Sequence, residues 1–137
     1  MPLPSSKRFE YTAEVSRAGE IAAAGEARIQ LPQAVTPEHL VLAGLGRCSI
    51  ASLTYHARRA GLDLIAAASV SGAVTRREED DRYAFVEIDC ELDVELDPPL
   101  AAAELAELLA KAERDCFIGA SLRVAPRYQW RVNGEEI

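Results

Sequence analysis

The stretch that most constrains this chain is Thr36 to Gly61, TPEHLVLAGLGRCSIASLTYHARRAG, which reads as one long helix with a cysteine near its middle. Thr36 is a favourable N-cap and Pro37 suits the first helical position. Glu38 complements the positive end of the helix dipole, Arg58 and Arg59 the negative end, and Gly61 stops the helix. At ~1.5 Å per residue it spans roughly 36 Å, the width of a small domain, so the remaining residues must be built around it. Leu40, Gly44, Cys48, Ala51 and Tyr55 fall on one face of the helical wheel. Cys48 is by default a core thiol, but the small Gly44 and Ala51 leave room beside its sulfur.

The flanking segments read as strands and one further helix. Arg8 to Ser16 alternates Phe9, Tyr11, Ala13 and Val15 against Glu10, Thr12 and Glu14, and Gly25 to Leu31 alternates in the same way. The turn Arg17-Ala18-Gly19-Glu20 between them implies an N-terminal hairpin or meander. Leu64 to Thr75 is a small-residue strand, and the charged run Arg76 to Arg82 is a solvated hairpin tip. The clearest strand follows: Ala84, Val86, Ile88, Cys90, Leu92, Val94 and Leu96 alternate with a nearly all-acidic face from Phe85 to Glu95. Cys90 therefore points inward as a small buried hydrophobe.

Asp97-Pro98-Pro99 breaks that strand and leads into a helix from Leu100 to about Asp115, with Leu105, Leu108, Leu109 and Ala112 as its buried stripe and Cys116 at its C-terminal end. A last strand, Leu122 to Val132, carries Arg123, Arg127 and Arg131 on its outer side, complementary to the acidic face if the two strands are neighbours. The tail from Asn133 to Ile137 is polar and expected to be mobile, as are the first seven residues. The order is β-β-α-β-β-α-β, an α+β protein with mostly antiparallel pairing around a long central helix. One sheet of this size cannot sheath both helices, which an interlocking homodimer would remedy.

With 137 residues, 49% of them hydrophobic, the chain 1–137 is expected to form a single domain. A formal charge of −7 argues against a nucleic-acid backbone or an anionic membrane as partner. No apolar run has the length of a signal or membrane segment, so a cytoplasmic location is expected. In a reducing compartment three cysteines do not make a structural disulfide framework. No Cys-x-x-Cys pair exists and His39 and His56 are the only histidines, so neither metal nor cofactor is expected. Cys48 and Cys116 are then either core residues or a redox pair.

The run Thr36-Pro37-Glu38-His39-Leu40, followed ten residues after Glu38 by Cys48, and then by Cys116-Phe117-Ile118-Gly119-Ala120-Ser121-Leu122, resembles the OsmC/Ohr family of thiol peroxidases over nearly the whole chain. The resemblance implies an α+β fold in an intertwined homodimer that reduces organic hydroperoxides without metal or haem. It implies Cys48 as the peroxidatic cysteine and Cys116 as the resolving one. It further implies Glu38 as the glutamate of the active site, Arg17 as its arginine, and a dithiol reductant, of the lipoylated-protein type, as electron donor. Lys7, Arg8 and Arg28 compete with Arg17 for that role.

The chemistry requires such a set. A thiolate attacks the peroxide O–O bond, and a free cysteine of pKa ~8.5 is mostly protonated at neutral pH. A guanidinium beside it favours the anion, and a carboxylate fixes the guanidinium. The resulting sulfenic acid condenses with the second cysteine to a disulfide. Ten residues on one unbroken helix separate Glu38 from Cys48 by roughly 15 Å, so either the helix breaks near Gly44-Leu45-Gly46 or a second copy brings the two groups together.

Two positions depart from the family pattern: Arg47 precedes Cys48 where a small residue is usual, and Phe117 follows Cys116 where proline is common. Both motivate an alternative, a non-enzymatic binding or interaction module with structural cysteines. A helix C-terminus also disfavours a thiolate at Cys116, which suits a resolving role. His56 is read as a hydrogen-bonded core or interface histidine, Tyr128 and Trp130 as sheet packing, and Tyr55 as lining a pocket.

Overall fold

The computed structural model describes residues 6–137, so the expectation of a frayed N-terminus largely concerns residues outside the described ones. The chain divides into two compact units, one ending at Thr36 and one spanning Pro37–Ile137.

In the first unit, β1 (Ala13–Val15) pairs antiparallel with β2 (Ile21–Ala23). The expected turn at residues 17–20 is present, with Gly19 at φ +82, a left-handed conformation that glycine adopts without strain. The second strand, however, lies before Gly25 rather than after it. Gly25, at φ +81, reverses the chain so that only Ile29 returns to bridge Ile21, and the expected strand from Gly25 to Leu31 shrinks to that bridge.

The second unit is built on α1 (Pro37–Arg59), one continuous helix without a break at Gly44-Leu45-Gly46. Its C-terminus is closed by Gly61 at φ +77, with Leu62 N–H donating to Ala57 O and Gly61 N–H to Arg58 O, the paired bonds of a glycine-terminated helix. Beyond it, β3 (Asp63–Arg76) and β4 (Tyr83–Asp97) form a long antiparallel hairpin. Helix α2 (Ala102–Arg114) and the short α3 (Phe117–Ser121) follow, then β5 (Arg127–Val132) and β6 (Glu135–Glu136). The sheet order is β3-β4-β5-β6. The architecture is α+β, as expected.

Leu45, Leu53 and Ala57 of α1, Ile88, Cys90, Leu92, Val94 and Leu96 of β4, the expected α2 stripe, and Trp130 and Val132 of β5 form one core. Gly46 lets α1 approach β3 closely: a Cβ there would stand 3.0 Å from Val70 Cγ2 and 3.2 Å from Ala68 Cβ. Ser52 Oγ donates to Ala112 O at 2.8 Å and ties α1 to α2. Trp130 Nε1 donates to Glu113 Oε2 at 2.9 Å and ties β5 to α2.

Several details differ from the sequence-based reading. Between the pairs Ala73↔Glu87 and Val74↔Phe85, β4 holds one extra residue, Val86. That bulge flips the alternation, so Phe85 turns toward the core and Val86 is exposed. β5 pairs with β4 in parallel, because the α2–α3 segment carries the chain back to the same end of the sheet. The expected acidic–basic match survives this: Arg127 grips Asp89 through two bonds of 2.8 Å. The last strand begins at Arg127 rather than Leu122, and residues 117–121, to which no separate element was assigned, form a short helix. The tail pairs with β5 through a turn at Asn133 (φ 51) and Gly134 (φ 81), the Asn-Gly signature of a tight hairpin.

Candidate active site

The site is where the middle of α1 meets the start of α3. On α1 the residues Leu45, Gly46, Ser49, Ser52, Leu53 and Ala57 face inward and are buried. Cys48 sits at the edge of that face and is half-buried, not a fully enclosed core thiol. The stripe beyond it, with Leu40, Val41 and Tyr55, is exposed, and so are Phe117 and Ile118 of α3. An uncovered apolar surface thus surrounds the sulfur.

Cys116 is fully buried and is brought against Cys48. Ile118 N–H donates to Cys48 Sγ at 3.5 Å, while Gly119 N–H donates to Cys116 Sγ at 3.4 Å. Cys116 therefore caps the start of α3; it does not end α2, whose C-cap is Asp115. The reading of Cys116 as a residue at a helix C-terminus is corrected accordingly: the Gly119 N–H of the following helix, not a carbonyl, points at its sulfur. Both thiols are reduced.

Burial pushes the Cys48 thiol above its ordinary pKa, the Ile118 and Phe117 N–H groups pull it down, and the neighbouring Cys116 pushes it up. None of these influences is a cation. Cys90, the third thiol, is enclosed under the sheet and burial raises it to about 11, so it is inert.

Two further residues approach the cysteine pair. Ser49 Oγ donates to Leu45 O at 2.9 Å and lies 3.6 Å from Cys116 Sγ and 3.5 Å from the Tyr128 hydroxyl. Burial holds the Tyr128 phenol at about 12, partly offset by Ser49, so it is a permanent donor. Tyr128, expected to serve as packing, does stack on Trp130, but its hydroxyl reaches the cysteines. Ser49 was not singled out by the sequence reading. Its signal was available: a serine on the same buried face as Leu45 and Leu53 must find a polar partner. His56 Nε2 lies 2.7 Å from Asp115 Oδ2, joining α1 to the residue before Cys116, which matches its reading as a hydrogen-bonded core histidine.

The remaining expected site residues are placed as follows. Glu38 is exposed in the first turn of α1, ten residues from Cys48 on an unbroken helix and so roughly 15 Å along the axis. Arg17 is exposed on the turn between β1 and β2 in the N-terminal unit. Among the described residues Arg8 and Arg28 have carboxylate partners, Glu10 and Glu20, and Arg17 has none. Arg47 is exposed on α1, and Tyr55 lines an open groove of about 500 Å³ with Ala51, Thr54, Arg58 and Arg59. Among the described residues no group of three or more His, Cys, Asp or Glu side chains is placed to hold a metal, and no helix is long and apolar enough to cross a membrane.

Residues 30–131 match the family described as OsmC-like protein. Among solved structures, an OsmC-like protein of unknown function from Vibrio cholerae is similar at a TM-score of 0.76 and 15% identity, covering 90% of this chain and 100% of that one. An OsmC-like protein from Mycoplasma pneumoniae gives a TM-score of 0.70 at 16% identity, covering 93% and 99%. The organic hydroperoxide resistance protein OhrB of Bacillus subtilis gives 0.55 at 23% identity, covering 90% and 96%. No protein of curated function matches the sequence. The chain belongs to the OsmC-like family.

Proposed function

We propose that this OsmC-like chain is a cysteine-based peroxidase that reduces organic hydroperoxides, with Cys48 as the attacking sulfur and Cys116 as the resolving one. The observation that carries the reading is the contact between the two reduced thiols across the α1–α3 junction, one half-exposed and the other enclosed. The Cys48 thiolate attacks the distal peroxide oxygen; the O–O bond breaks, the alcohol leaves with a proton, and Cys48 becomes a sulfenic acid. Cys116 then displaces that oxygen as water and closes the disulfide. A dithiol, of the lipoylated-protein type, takes the oxidation in two exchange steps and restores both thiols.

The Cys48 thiol, pushed up by burial, needs a positive charge beside it to ionise at neutral pH. Arg17 is the residue proposed to supply it and Glu38 the carboxylate that holds the guanidinium. Because α1 is unbroken, Glu38 serves the cysteine of a second copy rather than its own. The exposed stripe of Leu40, Val41, Tyr55, Phe117 and Ile118 around Cys48 is the surface that a homodimer would cover, with the chain 1–137 acting as one domain. The apolar surroundings favour bulky organic peroxides over hydrogen peroxide, and a cytoplasmic location keeps the thiols reduced between turnovers.

The raised Cys48 pKa also favours a second reading, a non-enzymatic binding module with structural cysteines. Consumption of cumene hydroperoxide with dihydrolipoamide as donor separates the two. The peroxidase reading expects turnover that Cys48→Ser abolishes; turnover at the thiol background in the wild type, or undiminished in Cys48→Ser, favours the binding module.

A further inference from the structure

The environment of Cys116 is more elaborate than an enclosed resolving thiol requires. Its sulfur has no exposure, and around it stand Ser49 Oγ at 3.6 Å, the Gly119 N–H at 3.4 Å and the Tyr128 hydroxyl. Ser49 is itself 1% exposed. Its single proton is shared between the 2.9 Å bond to Leu45 O and the longer 3.5 Å bond to the Tyr128 hydroxyl, which leaves an oxygen lone pair free to accept from Cys116. A serine in the interior of a packed helix bond that only back-bonded to its own turn would need none of these neighbours.

We propose that Ser49 and Tyr128 are positioning residues for the resolving step: one buried and one part-buried hydroxyl that hold the Cys116 thiol in the reduced protein and donate to its sulfur as the proton leaves. The proposal rests on the peroxidase reading. In the resting protein the Cys116 S–H donates to Ser49 Oγ. During closure the Cys116 sulfur forms a bond to the Cys48 sulfur, the Cys48 S–O bond breaks, and the departing hydroxide takes the Cys116 proton and leaves as water. As the proton leaves and before the S–S bond is complete, the Cys116 sulfur carries transient negative charge in a site closed to solvent, and that charge passes to the departing oxygen as the bond forms. Rotation of the Ser49 hydroxyl away from Leu45 O, together with the Tyr128 O–H, supplies two donors to that charge, beside the fixed Gly119 N–H. The titratable groups facing Cys116 are Cys48 from α1, Cys90 from β4 and Tyr128 from β5, and none of them offers a positive charge. Hydroxyl donors are what the fold places there instead.

The role is confined to one chemical step, which makes it testable. Wild type, Ser49→Ala, Ser49→Thr and Tyr128→Phe are mixed with one equivalent of cumene hydroperoxide and quenched at intervals. Sulfenic acid on Cys48 and the Cys48–Cys116 disulfide are followed separately by mass, across pH, and sulfinic acid is measured after excess peroxide. Ser49→Ala and Tyr128→Phe are expected to form the sulfenic acid at the wild-type rate but to close the disulfide about 10-fold more slowly, the loss of one hydrogen bond to a charged group. The slow step is expected to recover at alkaline pH, and the longer-lived sulfenic acid to over-oxidise more. Ser49→Thr, which keeps the hydroxyl, is expected to restore closure. Closure unchanged in both hydroxyl-less variants overturns the proposal and leaves the peroxidase reading standing, and so does an equal fall in both steps, which marks a merely structural role. A wild type that oxidises Cys48 without ever closing onto Cys116 overturns both.

Discussion

Gly119 lies in α3 at the centre of the candidate site, and its conformation is one that alanine accepts. A Cβ added there would stand 3.0 Å from the Tyr128 hydroxyl, 3.5 Å from Cys116 Sγ and 3.6 Å from Cys116 Cβ. The two sulfur-side contacts are ordinary. The first is too short by a few tenths of an ångström, and the tip of the tyrosine must retreat by about that much. In Gly119→Ala the helix gains up to about 1 kcal/mol. Overpacking costs about 1–3 kcal/mol, at the low end because a side-chain tip gives way rather than backbone. The stability change, read from the urea midpoint, is thus expected to be a loss of about 0–1 kcal/mol. The chemistry is expected to change more. A displacement of ~1 Å at a reacting centre costs about 100-fold, so a shift near half that size costs about 10-fold in the rate of disulfide closure, followed by quenched-flow thiol counting. A variant that is stabilised by the full helix gain and closes its disulfide at the wild-type rate would show that Tyr128 does not bear on Cys116.

Phe117→Pro removes an N–H that acts on Cys48, and the backbone can accept it, since Cys116 is already extended at φ −75, ψ 111 and proline suits the first turn of a helix. The Cys48 pKa is expected to rise and its alkylation by iodoacetamide at neutral pH to slow; unchanged alkylation would remove the Phe117 N–H, though not that of Ile118, from the account of this thiol. Asp115 is held at about 2 by the Arg114 guanidinium and then by His56. A depressed carboxylate contributes stability that is complete above its unfolded value near 3.8 and is lost as pH falls toward about 2. Asp115→Asn is therefore expected to flatten the pH dependence of the urea midpoint in that window, and an unaltered acid limb would count against the pairing.

Much of the frame was legible because its signals are periodic. Strand β4 and the stripe Leu105, Leu108, Leu109, Ala112 each repeat a pattern over many residues that packing obeys, while the long helix of Pro37–Arg59 was marked by the capping and charged residues at its two ends. What escaped depended on single residues. The bulge at Val86 inverts the strand face while the sequence goes on alternating through it, so the pattern carries no sign of the bulge. The five-residue helix α3 is too short to have a period, yet it turns Cys116 from a supposed helix end into a cap. The Asn133-Gly134 turn was a legible signal that the polarity of the tail obscured. At the site, the closeness of Cys48 and Cys116 came from family resemblance and could not come from spacing, since sixty-eight residues separate them. The Ser49–Tyr128 pair was hidden for the same reason, because β5 meets α1 only through the folded core.

The account stands on one chemical event, and peptide mapping after a single equivalent of organic hydroperoxide observes it directly. The expected product carries a Cys48–Cys116 cross-link with Cys90 still alkylatable. Three free thiols after exposure, or a bond that engages Cys90 in place of Cys48, would contradict it.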